Sequence, residues 1–430
     1  MLKISPALEG PDTKPADRAS SRPAADLRPK GGSSRKRAIA LLACAGFASS
    51  ASIRVCDPVI PQLAAVFDTS AGEASAVISV FSVAYGLFLA LYGPLGDRYS
   101  KYRLVTIATL ACTAGSLAAA FAPSLDWLVA ARVLTGATAA AIIPLSMAWI
   151  GDNVEYGQRQ AVLARFLSGQ ILGMVGGQFL GGLMADTLGW RWSFHVLAAL
   201  YIVVGLSLLL ELLYGGAAGV AAGGVGRSGG SMPLATAMRS VVRVPWARAI
   251  LLIGFVEGAA VFGPLAFIPT YLHLRFDLSL TGSAAILGTY GLGGLLYSLT
   301  AKRLVGLFGE RGLAAGGGAL LCVAFLTLLT GAAWQCALGA CLIAGFGFYM
   351  LHNTLQINST QMVPGARGSA VALFVSAFFL GQSTGVALAA WAVDAVGPLW
   401  LFGAAAVALP VIGSGFSLAL HRRHVSLAPL

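Results

Sequence analysis

The sequence predicts an all-α membrane protein with twelve transmembrane helices in two blocks of six. Three observations lead there. Apolar residues (A, V, I, L, M, F, W, Y, C) make up 57% of the chain and glycine another 54 of 430 positions, while 10% are charged; soluble domains average about 25% charged. Of the 28 basic and 17 acidic residues, 13 fall in the first 37 positions. The remainder is poorer still in charge, and no soluble fold would keep it in solution. Second, twelve apolar runs of about 20 residues succeed one another, the length that crosses a hydrocarbon core. Third, Lys and Arg collect on alternate connections between those runs.

Along the chain, residues 1–37 are rich in Pro, Ser, Asp, Arg and Lys, which predicts a disordered cytoplasmic tail. They do not read as a secretory signal, because the first apolar run starts only at Ile39, behind Arg35-Lys36-Arg37; a signal places that run close behind a short basic region. The predicted spans are 39–66, 74–95, 104–122, 127–149, 161–184, 192–213, 248–272, 282–304, 312–331, 334–355, 369–392 and 399–420. An open sheet would face lipid with unsatisfied edges, and a barrel would alternate apolar and polar residues in ten-residue segments. Between spans 6 and 7, residues 214–247 include a Gly-rich run, GGAAGVAAGGVGRSGG, read as a flexible cytoplasmic linker. It separates an N-terminal block, 38–213, from a C-terminal block, 248–420, and a short tail, 421–430, follows. Weak similarity links the blocks. Their first spans end in Pro58/Pro61 and Pro264/Pro269, and both connections between their second and third spans are basic. Such duplication is common in secondary transporters.

With the N-terminus inside, 24 of the 28 Lys and Arg fall on inner segments, Arg191 and Arg275 on outer ones, and Arg54 and Arg132 within spans. Cytoplasmic loops collect Lys and Arg, so both termini are expected in the cytoplasm. The net charge of +11 is then a matter of topology rather than of nucleic-acid binding. Cys44, Cys56, Cys112, Cys322, Cys336 and Cys341 form no CxxC pair and read as small buried hydrophobes. No metal or haem spacing and no GxxxxGK[ST] loop occurs, so ATP is not the expected energy source. The spans contain no HExxH, which argues against a membrane-embedded metalloenzyme.

The connection after span 2 reads Gly93-Pro-Leu-Gly-Asp97-Arg98-Tyr-Ser100-Lys101-Tyr-Arg103. It resembles the signature loop of the major facilitator superfamily, G-x-x-x-D-R-x-G-x-R/K-R/K, with Gly93, Asp97, Arg98 and Arg103 in place and Ser100 where Gly is usual. The resemblance implies that Asp97 and its basic neighbours join the two halves on the cytoplasmic side when the carrier faces outward. Positive-inside charge alone accounts for the basic residues but not for Asp97. Span 4 carries Arg132 and Gly136, similar to the family's R-x-x-x-G element. In span 5, Gly169, Gly173, Gly177 and Gly181 recur every four residues, which clears one helix face for close packing. This run resembles the glycine motif of the antiporter branch, with Gln178 where that motif has proline. GWRW at 189–192 weakly resembles the drug:proton antiporter branch. The resemblance further implies two pseudo-symmetric six-helix bundles rocking around a central cavity. Spans 3, 6, 9 and 12 carry no charge in their middles, as lipid-facing helices should.

Helix rise converts position to depth. Arg54 and Asp57 lie roughly 25 and 30 Å from the inner edge, and Arg132 about 8 Å below the outer one. Arg54 and Asp57, three apart, share a helix face. An unpaired charge in the membrane costs several kcal/mol, so an ion-pair cluster of Arg54, Asp57 and Arg132 is expected. It is open whether the cluster serves structure, an outer gate, a proton site or an anchor for an anionic substrate group. Glu257 is about 14 Å deep, between Gly254 and Gly258 with no basic residue within eight positions. It reads either as a proton or substrate site, or as the partner of Arg54 or Arg132 across the cavity. Asp57 is the second candidate proton carrier. Tyr85, Gln170, Tyr290 and Gln382 fall near mid-depth, as helix–helix hydrogen bonds or as lining of a substrate site. His352 and Asn353 fall near the inner edge and are expected at an inner gate.

The expected function is secondary transport of a small organic solute by proton-coupled efflux, with an importer or uniporter as the alternative and a membrane sensor or embedded enzyme as rivals of another class. The expected partners are a small-molecule substrate, protons and the lipid bilayer, with no nucleic acid, cofactor or metal. The chain is expected to act as a monomer in the plasma membrane, a bacterial inner membrane.

Overall fold

The computed structural model describes residues 31–214, 234–363 and 366–427. The tail expected over 1–30, the Gly-rich part of the linker over 215–233 and the Asp97 side chain lie outside the described residues. Every regular element among the described residues is helical.

Among the described residues ten helical stretches are long and apolar enough to cross a membrane; one of them holds two spans, and span 5, outside the ten, brings the crossings to twelve. Span 5, Tyr156–Thr187, is a 32-residue helix that falls short on hydropathy because Arg, Gln and Gly dilute its apolar residues. Leu280–Thr330 runs for 51 residues, about 77 Å of helix against a hydrocarbon core of roughly 30 Å. It breaks at Gly309, where φ is 61° and ψ 178°, a left-handed conformation that glycine adopts without strain. Residues 280–308 and 310–330 are therefore spans 8 and 9.

Most helices outrun their predicted spans, because hydropathy registers the membrane and not the end of the helix. Span 10 is Gln335–Gln361, a turn and a half beyond the predicted end at 355. The polar residues Gln356, Asn358, Ser359 and Thr360 remain helical. Span 1 is interrupted: a helix over Gly31–Arg54 gives way to a tight turn over Asp57–Val59 and a short helix over Ile60–Val66. Pro58 and Pro61 would clash with the carbonyls of Arg54 and Asp57 in a continuous helix. In span 7, Pro245–Phe276, Pro264 and Pro269 are carried inside one helix, so the prolines do not act alike in the two halves. Residues Leu234–Arg243, read from sequence as linker, form a helix packed on spans 7 and 11, with Val241 in the core.

Helix pairing displays the internal duplication. In the N-terminal half span 1 packs on 5, span 2 on 4 and span 3 on 6; in the C-terminal half span 7 packs on 11, span 8 on 10 and span 9 on 12. Adding six to each number converts one set into the other. The bundles meet where span 2 packs on 11 and span 5 on 8, two contacts that the same operation exchanges. Large apolar side chains such as Ile107, Val203, Val323 and Val407 are exposed on spans 3, 6, 9 and 12, as lipid-facing residues should be.

Candidate functional site between the bundles

The break in span 1 places two ionisable side chains at the bundle interface. Arg54 Nη1 and Asp57 Oδ2 are 3.5 Å apart and both side chains are buried. That distance is the limit of a hydrogen bond, so the pair is loose. Among the described residues Arg54 Nε and Asp57 Oδ1 have no hydrogen-bond partner. The guanidinium instead lies 4.2 Å from the ring centroid of Phe262 on span 7, a cation–π contact between bundles. Gln178 Nε2 reaches Asp57 Oδ2 at 3.5 Å. The residue that replaces the motif's proline therefore supplies a donor to Asp57, a role that the glycine spacing alone does not reveal.

Arg132 does not join this cluster. Its Nε donates to the Val77 carbonyl at 3.1 Å, Nη1 to Ser52 Oγ at 3.3 Å and Nη2 to the Ser52 carbonyl at 2.9 Å, and its guanidinium covers Phe81. It ties span 4 to spans 1 and 2. Gly136, one turn on, faces the Phe81 carbonyl so closely that a Cβ would collide with it.

Glu257 pairs with neither arginine. Its Oε2 lies 2.9 Å from Nδ1 of His352, a residue expected at an inner gate. The extension of span 10 to Gln361 puts His352 deeper than a span ending at 355 implies. Glu257 is fully buried, His352 keeps 15% of its side chain exposed, and Glu257 Oε1 has no hydrogen-bond partner among the described residues. His352 stacks on Phe348 at 4.9 Å and lies 4.6 Å from Phe378. Those two rings also contact Phe262, at 5.3 and 5.5 Å. One aromatic cluster thus joins Arg54 to the Glu257–His352 pair.

The remaining mid-depth candidates divide. Gln382 Nε2 donates to Ser82 Oγ at 3.1 Å, its neighbour Ser383 donates to the Ser79 carbonyl at 2.9 Å, and Tyr85 packs on Phe379 at 4.3 Å. Tyr85 and Gln382 therefore join span 2 to span 11. Tyr290 OH and Gln170 Nε2 are buried without hydrogen-bond partners among the described residues, and the Tyr290 ring packs on Phe348. Along span 5, a Cβ on Gly173, Gly177 or Gly181 would collide with the backbone of span 1 at Phe47, Ala51 or Val55, whereas the nearest atom to one on Gly169 is 3.8 Å away. The glycine face seats span 1 within its own bundle. In the signature segment, helix continues through Arg98 and resumes at Lys101. Ser100 caps the second helix, its Oγ accepting from the Arg103 backbone N–H, which suits Ser better than a bare turn. Gly93 faces open space, Arg98 and Arg103 are exposed, and Lys101 pairs with Asp152 at 2.8 Å.

The face away from the termini is closed by two acidic residues absent from the sequence expectations. Asp186, at the end of span 5, accepts from the backbone N–H of Leu280 at 3.1 Å and from the N–H and hydroxyl of Thr281 at 2.6 Å each. Asp394, at the end of span 11, accepts from Ser70 Oγ at 2.6 Å and the Gly72 N–H at 3.1 Å. Each carboxylate caps a helix start in the other bundle, and the duplication exchanges the two. Beneath them an apolar cluster shared by both bundles includes Val55, Ile60, Phe267, Leu280 and Val386.

Twelve spans in two related bundles, closing at one face over buried ionisable side chains, make a polytopic membrane protein. A model of the Major Facilitator Superfamily matches residues 42–374, and the chain belongs to that superfamily. Its relatives are transporters rather than enzymes. Among them are the uncharacterized MFS-type transporter YwfA of Bacillus subtilis, 25% identical over 256 residues, 60% of this chain and 61% of that one, and the multidrug export protein EmrB of Escherichia coli, 29% identical over 171 residues, 40% of this chain and 33% of that one. The chain thus spans less than two thirds of the length of these relatives. A crystal structure of the nucleoside transporter NupG, a single-residue variant, has the same fold, with a TM-score of 0.72 over 88% of this chain and 98% of that one at 14% identity.

Proposed function

We propose that the chain is a proton-coupled exporter of a small organic solute that works by alternating access, with the face bearing its termini in the cytoplasm of a bacterial cell. The observation that carries this reading is the Glu257–His352 pair, 2.9 Å apart within the C-terminal bundle. Intramembrane ionisable pairs mark proton pathways, and this one keeps its hydrogen bond whichever partner holds the proton. His352, the partly exposed member, passes the proton to Glu257. Asp57, with its loose contacts to Arg54 and Gln178, is the second carrier. The multidrug export protein among the relatives and the Lys/Arg distribution support direction and orientation. In the signature segment Asp97 serves as the cytoplasmic gate. The reading is tested in proteoliposomes with a candidate solute trapped inside and an imposed pH gradient. Exchange of solute against protons is expected; movement of solute with protons, or no response to the gradient, refutes it.

A further inference from the structure

We infer that the central site takes a flat aromatic solute carrying an acidic group at one end and a hydrogen-bond donor at the other. This rests on the transport reading and adds the chemistry of the cargo. Buried polar atoms normally have partners. Among the described residues three such atoms without a partner lie at one aromatic cluster, Arg54 Nε, Glu257 Oε1 and Tyr290 OH, with Asp57 Oδ1 beside Arg54. They differ in what they need. Arg54 is cationic and only loosely held by Asp57 at 3.5 Å, so it has guanidinium N–H groups to give to a carboxylate, whose geometry they match. Glu257 has a free acceptor oxygen beside its bond to His352 and calls for a donor. Between them stand Phe262, under Arg54, and Phe348 and Phe378, which reach His352. Rings at these spacings offer faces and edges to a flat aromatic body. The cation belongs to the N-terminal bundle and the carboxylate to the C-terminal one, so a ligand that bridges them engages both moving halves.

The test measures binding of four probes to the purified full-length carrier by quenching of tryptophan fluorescence. 4-Aminobenzoate has ring, carboxylate and donor; benzoate lacks the donor, aniline the carboxylate and cyclohexanecarboxylate the aromatic ring. 4-Aminobenzoate is expected to bind at least tenfold tighter than each of the others. Glu257→Gln should remove its advantage over benzoate. Arg54→Gln should remove its advantage over aniline, and Arg54→Lys should restore part of it, which separates a lost contact from a misfolded protein. Equal binding of all four probes, binding of none, or unaltered selectivity in Glu257→Gln overturns the inference. Because no gradient is present, the outcome is independent of coupling. Gradient-driven export of a different solute without competition from 4-aminobenzoate would overturn this inference alone, and selective binding without proton-driven flux would overturn the exporter reading alone.

Discussion

Replacing Asp186 and Asp394 together by alanine should open the face away from the termini. Asp186 receives three hydrogen bonds from the start of span 8, and Asp394 two from Ser70 and Gly72. Hydrogen bonds to charged groups contribute about 1.5–3 kcal/mol each. Both carboxylates are exposed, so about 0.5–1 kcal/mol per bond is the fitting scale. Five bonds then give about 2.5–5 kcal/mol, a change of roughly 70- to 5000-fold in the ratio of closed to open states. Because these bonds cross between bundles, their loss falls on the closed state and spares each bundle's own packing. Nitroxide labels at Phe121 and Leu274, exposed positions on the two bundles, would report the separation on a cysteine-free background. The double variant should add a population at longer distance, and each single variant a smaller one. An unchanged distance distribution in the double variant would show that the apolar cluster below, and not the carboxylates, sets the closure.

Other expectations are local. Gly177→Ala should lower thermal stability by about 1–3 kcal/mol, since a Cβ there collides with the backbone at Ala51, whereas Gly169→Ala should be near neutral; equal effects in an unfolding assay would discount the glycine face. Ser100→Ala should cost about 1 kcal/mol by removing the cap on span 3, and Ser100→Gly only a few tenths, read as thermal midpoints. Asp97→Asn should impair transport at normal membrane abundance; wild-type flux would make Asp97 an ordinary solvated acid.

The architecture was legible because a membrane imposes it. Span length, alternating basic connections and the Gly-rich divider each follow from the solvent on either side of a helix. The charged candidates were legible for the same reason: Arg54, Asp57 and Glu257 stand out as costly where they lie. The spacing of Arg54 and Asp57 also shows that they pair, but the partner of Glu257 is not legible. Hydropathy placed the end of span 10 six residues early, which misplaced His352 and hid its bond to Glu257. Depth groups Arg132 with Arg54, yet three of its donors find Ser52 and Val77, because depth does not say which way a side chain turns around its helix. Asp186 and Asp394 resemble solvated helix ends until the bundles are assembled. Gln178 did carry a signal, a polar residue where the resembled motif has proline.

The most direct test of the account is Glu257→Gln reconstituted in proteoliposomes, with gradient-driven transport and downhill exchange measured on the same preparation. Gln keeps the shape and a bond to His352 but does not titrate. Loss of uphill transport with downhill exchange retained is expected. Uphill transport persisting at the wild-type rate would contradict it and leave Asp57 as the carrier.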